Sequence, residues 1–238
     1  VVRGVAVRLL AENWSDEGLC GLLYQSATHD AHEEVRKTAI LAIARTFKDG
    51  DTRTFLEELA SPDPSHRDRE RALQMLADHW PDDRTRELLL HNAASDECGT
   101  VRRSAIDGLA NTWPQSDFKE LLLRLFREDP ESGVRYWAFE LLKRYPADDA
   151  IRGALESCAA ADDEISILGH AIRQLAAAFP DDRTLDLLRT RVRDDPCEFN
   201  VISALHGLAA IRHDEETRAL LLDFMNDPTR DHGRSSVP

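Results

Sequence analysis

Residues 96–114 read DECGTVRRSAIDGLANTWP. Val101, Ala105, Ile106 and Leu109 stand at positions i, i+4, i+5 and i+8, one stripe of a helix with 3.6 residues per turn. Trp113-Pro114 closes the segment, because proline cannot continue a helix. Stepping outward from Ala105 in intervals of 33 residues meets Ala6, Ala39, Ala72, Ala138, Ala171 and Ala204, with no insertion or deletion. Nine residues before six of these seven alanines stands an aspartate: Asp30, Asp63, Asp96, Asp129, Asp162 and Asp195. Two residue types holding one register is the mark of a stacked repeat.

Further columns say what the register builds. Four before the alanine come Val2, Val35, Val101, Val134 and Ile167; four after come Leu10, Ile43, Leu76, Leu109, Leu142, Leu175 and Leu208. This amphipathic stretch is the second helix of each unit, and it ends near Trp14, Phe47, Trp80, Trp113, Tyr145 or Phe179, four of which precede a proline. A first helix is read upstream. Asp82 to Thr85 and Asp181 to Thr184, both Asp-Asp-Arg-Thr, supply side chains suited to the free amides of a first turn, and the column Leu23, Leu56, Leu89, Leu122, Leu155, Leu188 and Leu221 runs inside it. No window alternates as a strand would.

A single hairpin offers about eight large apolar side chains, worth roughly 1.5–3 kcal/mol each when buried, against a backbone entropy cost of roughly 1–2 kcal/mol per residue. It folds only against neighbours, with the small alanine allowing close helix approach. The expected fold is therefore all-α: a right-handed α-α superhelix, or α-solenoid, of about seven 33-residue helical hairpins. Residues 1–228 are read as one array and 229–238 as a polar tail. Because Val1 opens inside a second helix, the chain is read as a piece of a longer protein.

The pattern from Asp96 to Ala105, an aspartate followed six residues on by arginine and then by the alanine, resembles the HEAT repeat. That resemblance implies a polar ladder joining successive repeats, carried by Asp30 with Arg36, Asp63 with Arg69, Asp96 with Arg102 and Asp129 with Arg135. Leu168 and Val201 replace the arginine later, so the ladder is expected to end near residue 140. The Trp-Pro-Asp-Asp-Arg-Thr turn at 80–85, held in unbroken register, is similar to the HEAT arrays that follow the nucleotide-binding module of bacterial NACHT-type STAND ATPases. In those proteins the array is a sensor or autoinhibitory arm. The resemblance implies the same of this chain, which has no Walker motif of its own; the alternative is a stand-alone HEAT scaffold, and after it a HEAT-like lyase or hydroxylase.

Composition restricts the partners. With 44 acidic and 30 basic residues the net charge is −14, which argues against nucleic acid, whose binding depends on Lys and Arg neutralising phosphates. No apolar run is long enough to cross a membrane. Cys20, Cys98, Cys158 and Cys197 form no close pair, which fits a reducing compartment and a cytoplasmic location. His29-Asp30-Ala31-His32-Glu33 is the best metal-like cluster, but its aspartate belongs to the repeat frame and the bland reading is a solvated turn. HEAT-like deoxyhypusine hydroxylase uses several His-Glu pairs, and this chain has only His32-Glu33. No catalytic set, glycine-rich phosphate loop or zinc spacing is found, so no catalytic residue, metal or cofactor is assigned.

Binding is expected where repeats differ over a constant frame. Positions two before and two after the alanine leave the apolar stripe and should face the concave side in the HEAT arrangement. From them Lys37, Gln74, Arg103, Asp107, Tyr136, Glu140, Arg173 and His206 are the expected contacts of a protein partner, since mixed charge with aromatics and arginine suits an interface. Other domains of a longer parent chain are expected partners too.

Overall fold

The computed structural model describes residues 2–62, 65–114, 117–161 and 164–226. Asp63, Asp162 and the tail read at 229–238 lie outside them. The described residues form fourteen α-helices and no strand. They group into two compact units, residues 1–121 and 122–238. The first unit contains α1 (Val2–Asn13), α2 (Glu17–His29), α3 (Glu33–Thr46), α4 (Gly50–Leu59), α5 (His66–His79), α6 (Asp83–Ser95) and α7 (Gly99–Thr112). Helix α8 (Lys119–Glu128) starts at the boundary. The second unit continues with α9 (Ser132–Leu142), α10 (Asp149–Ala161), α11 (Ile165–Ala178), α12 (Asp182–Asp194), α13 (Glu198–Ile211) and α14 (Glu215–Asn226).

First and second helices start by different devices. First helices are capped by an aspartate whose carboxylate accepts an amide of the first turn: Asp49 from Thr52 at 2.8 Å, Asp82 from Thr85 at 3.1 Å, Asp148 from Ile151 at 3.0 Å and Asp214 from Thr217 at 2.8 Å. Such caps satisfy donors that the helix itself leaves unpaired. At the second helices the ladder aspartate folds the preceding turn instead. Asp30 accepts the amide of His32, Asp96 that of Cys98, Asp129 that of Glu131 and Asp195 that of Cys197, at 2.8–2.9 Å. Helices α5, α7 and α11 end with Trp80, Trp113 and Phe179 as their C-cap residues. Helix α9 stops at Leu142, three residues short of Tyr145.

In the first unit α2 packs on α3, α4 on α5 and α6 on α7, while α1, α3, α5 and α7 lie side by side. In the second, α10 packs on α11 and α12 on α13, with α11 between α9 and α13. First helices have no comparable contact with one another among the described residues, so within each unit the second helices form the closer-spaced layer. The alanine column makes that spacing possible: Ala39, Ala72, Ala105, Ala138, Ala171 and Ala204 are all fully buried. Each unit also has a closer approach between a first and a second helix. A Cβ at Gly108 would lie 3.3 Å from Leu89 Cδ2, and one at Gly207 would lie 3.0 Å from Leu188 Cδ1. The architecture of each unit is an all-α solenoid.

Ladder arginines reach into the next repeat. Arg3 Nη2 donates to Asp30 at 3.0 Å, and Arg69 grips Asp96 with Nε at 2.9 Å and Nη2 at 2.8 Å, so each reaches the aspartate of the next repeat. Arg36 Nε donates to Asp68, also in the next repeat, at 2.9 Å. A second nitrogen ties the arginine to the turn of its own repeat: Arg36 to the Asp30 carbonyl, Arg69 to that of Pro62, Arg102 to those of Asp96 and Glu97, and Arg135 to that of Asp129. Asp30 and Asp96 thus receive the arginine paired with them by spacing on the backbone oxygen, while their carboxylates serve Arg3 and Arg69 of the preceding repeat.

A second set of ion pairs appears twice, three repeats apart. Arg53 donates to both carboxylate oxygens of Asp82 at 2.7 Å and to Glu57 at 3.0 Å, and Arg84 also bonds Glu57. Arg152, Asp181, Glu156 and Arg183 repeat this with the same distances at 2.7 and 3.0 Å. The guanidinium of Arg152, together with the Thr184 amide, holds the Asp181 carboxyl down at about 2. Arg53 likewise lowers Asp82.

Candidate protein-binding face

The exposed side of the second-helix layer is where the variable positions emerge. In the first unit Gln74 and Arg103 are exposed, and Lys37 and Asp107 are half-buried. Lys37 Nζ lies 3.8 Å from Glu34 on its own helix, and Gln74 accepts from Arg71 at 2.8 Å. Arg103 and Asp107 occupy adjacent turns of α7. Side by side, α1 and α3 leave two adjoining grooves of about 560 and 400 Å³ that share Arg8 and Thr38. One continues past Gly4, Val5 and Glu34, the other past Leu41 and Arg45. Their lining mixes aliphatic surface with both signs of charge, which suits a peptide or helix better than a phosphate backbone.

In the second unit Tyr136, Arg173 and His206 are exposed and Glu140 is half-buried. Tyr136 on α9 meets His170 on α11 edge-on, ring centroids 5.3 Å apart, and Phe139 lies 6.1 Å from the same imidazole. Lys143 Nζ lies 5.3 Å over the Phe139 ring and 2.6 Å from Glu140. Arg173 Nη1 donates to Ser203 on α13 at 3.2 Å. The structure thus joins Tyr136 and Glu140 through Phe139 into one aromatic and charged cluster, and sets Arg173 against α13. His170 completes that cluster without having been singled out. It sits one residue before the alanine, in the column that also holds Trp137, Ser104 and Ser203, and that column reads as helix packing when taken alone.

Beneath this cluster a cavity of about 30 Å³ is lined by Phe126, Phe139, Leu142, Tyr145, Ile151 and Leu155. It is large enough for about one water, so it is no ligand pocket. The histidine-rich turn is taken up by the ladder: His32 Nδ1 is 2.8 Å from Arg3 Nη2, Asp30 bonds Arg3, and Glu33 pairs with Arg67 at 2.6 Å. Arg67 draws the Glu33 pKa below its usual value. Among the described residues no group of three or more His, Cys, Asp or Glu could hold a metal ion. Nor is any helix among them long and apolar enough to cross a membrane.

A stack of helical hairpins with a polar ladder and an exposed, variable second-helix layer defines a helical-repeat protein of the interaction type. The family follows from the sequence match: a model of HEAT repeats matches residues 1–77 and 52–143, more than half of the chain, and the protein belongs to the HEAT-repeat family. HEAT repeats generally mediate protein interactions. No curated protein and no solved structure matches the chain.

Proposed function

We propose that the second-helix faces of this chain bind a protein partner, and that the chain is the sensor or regulatory arm of a larger cytoplasmic signalling ATPase of the NACHT/STAND type, without catalysis of its own. The observation that supports binding is the division of labour within the repeat. Frame positions such as Ala72, Ala105 and Ala138 are fully buried, while Gln74, Arg103, Tyr136, Arg173 and His206, which differ from repeat to repeat, emerge from the same helices exposed. Variation confined to solvent-facing positions on a constant scaffold is what partner specificity requires. The arm reading is supported by the style of the turn at 80–85 and its near copy at 179–184.

Capture of a partner by the wild-type chain, compared with the Arg103→Ala/Tyr136→Ala double variant, tests the binding face. Retention should fall about tenfold or more, with circular dichroism showing that the helices are retained although Tyr136 loses its ring contacts with Phe139 and His170. Undiminished retention removes these residues from the face. The parent reading frame tests the arm: a P-loop module upstream is expected, and a parent without one leaves a stand-alone scaffold.

A further inference from the structure

Away from α1, α2 and α14, the large apolar side chains that stand exposed among the described residues are Tyr136, Phe199 and Ile202. All three lie on second helices of the second unit, five or two positions before the alanine of their repeat. The exposure of Phe199 belongs to its column. Glu34, Arg67, Thr100, Gly133 and Ser166, five before the alanines of α3, α5, α7, α9 and α11, are exposed as well. In the first unit the same two columns carry charged residues and one threonine, which water solvates readily. The second unit puts aromatic surface there, and aromatic surface gains free energy only when something covers it.

Gly169 draws this surface together. Phe199 leans from α13 back onto α11, where a Cβ at Gly169 would lie 3.0 Å from its Cε1. The same point is 3.1 Å from Ser203 Oγ and 3.5 Å from Arg173 Nη1, and that nitrogen donates to the Ser203 hydroxyl. The next residue, His170, meets the Tyr136 ring edge-on, and its Nδ1 donates to the Ser166 carbonyl at 2.6 Å, which fixes the imidazole. Rings from three successive second helices thus form one row about α11, with Phe199 49% and Tyr136 36% exposed. The charge beside the row is positive. Arg173 has no carboxylate partner among the described residues, whereas Glu140, in the same column, is held by Lys143 at 2.6 Å. Glu198 stands in the first turn of α13, where a negative charge suits the helix end.

We propose that the row of Tyr136, His170 and Phe199 takes a short acidic peptide segment, with an apolar side chain seated against the rings and a neighbouring carboxylate on Arg173. The inference rests on the reading of the second-helix layer as a protein-binding face and names the chemistry of the partner. Complementarity sets the occupant. In a chain of net charge −14, a guanidinium left open beside exposed rings attracts a carboxylate, which it can grip through two parallel N–H donors. Phe199 and Arg173 converge on one point over Gly169, close enough for adjacent side chains of a single segment to reach both. An aromatic anchor beside an arginine is also the pairing that carries most binding energy in protein interfaces.

A display library of random short peptides is selected on the full chain, and the most enriched peptide is made with a fluorophore and titrated by polarisation. Enrichment of an apolar residue beside Asp or Glu is expected. Phe199→Ala and Arg173→Glu should each weaken the labelled peptide about tenfold or more. Exchanging the peptide's carboxylate for a lysine should restore binding to Arg173→Glu and abolish it for the wild type. Circular dichroism establishes that both variants fold; where helix is lost, Phe199→Leu and Arg173→Gln replace them, and against Arg173→Gln an amide in place of the peptide carboxylate should cost nothing further. No enrichment, enrichment of basic peptides, or an acidic peptide that neither variant weakens overturns the proposal. A peptide weakened by Arg103→Ala and by neither of these variants overturns this site while leaving the second-helix face standing.

Discussion

The join between α5 and α7 and the join between α11 and α13 use the same register with opposite chemistry. In the first, Arg69 is 2% exposed and holds Asp96, 4% exposed, through two nitrogens. In the second, Leu168 and Val201 occupy the arginine positions, 5% and 6% exposed, and Asp195 is served by Arg191 of the helix before it at 3.0 Å. The aspartate persists in both. Its first task is local: Asp96 and Asp195 each accept the amide two residues on, which folds the turn into the second helix. The arginine can be exchanged for an aliphatic because a buried ion pair recovers little beyond its own desolvation cost, whereas half a pair is expensive.

The sharpest break of that comparison is Arg69→Ala, which strands the buried Asp96 carboxylate. A loss of about 3–5 kcal/mol is expected, read as a fall in the urea midpoint at unchanged slope. Adding Asp96→Asn should recover part of it, and a double-mutant cycle measures how much. A smaller effect is expected from importing the polar join into the apolar one. Leu168→Arg places a guanidinium in the column that reaches the next repeat's aspartate, here Asp195, and should cost no more than about 1–4 kcal/mol, the usual penalty of a buried pair against a packed apolar residue. A loss greater than that of Arg69→Ala would show that the two joins are not interchangeable.

The smallest effect comes from the exposed pair of Arg152 and Asp181. The Asp181 pKa is lowered in the fold, to about 2 from 3.8. Its bonds therefore stabilise the native chain fully above about pH 4, and that contribution is lost as the pH falls toward 2. Thermal melts of Arg152→Gln should run below those of the parent at neutral pH and converge with them at the acid end of this window. The gap should be small and should shrink in salt, as for any solvent-exposed pair.

Much of the fold could be read from the chain because each repeat solves the same burial problem with the same residues. The alanine column, the leucine column and the aromatic-proline stops are local facts, and helix boundaries fall close to them. The capping aspartates Asp49, Asp148 and Asp214 keep the same beat as Asp82 and Asp181 but were legible only at the two places where a full Asp-Asp-Arg-Thr motif surrounds them. The binding face was less legible. Gln74, Arg103, Tyr136, Arg173 and His206 could be placed on an exposed helix side by counting residues. The meeting of Tyr136 with His170, thirty-four positions on in sequence, depends on how far α11 slides along α9, and no periodicity within either helix sets that.

By itself the sequence determined the periodic frame: which residues are helical, which stripe is apolar, and that a hairpin must find neighbours, because these follow from spacing and from the free energy of burying apolar surface. Tertiary structure alone decided which charges pair. Arg36 carries the ladder spacing to Asp30 yet gives its Nε to Asp68 and offers Asp30 only a backbone contact. Side chains of this length can reach several carboxylates, and the choice rests on ångström-scale offsets between packed helices that no count of residues along the chain contains.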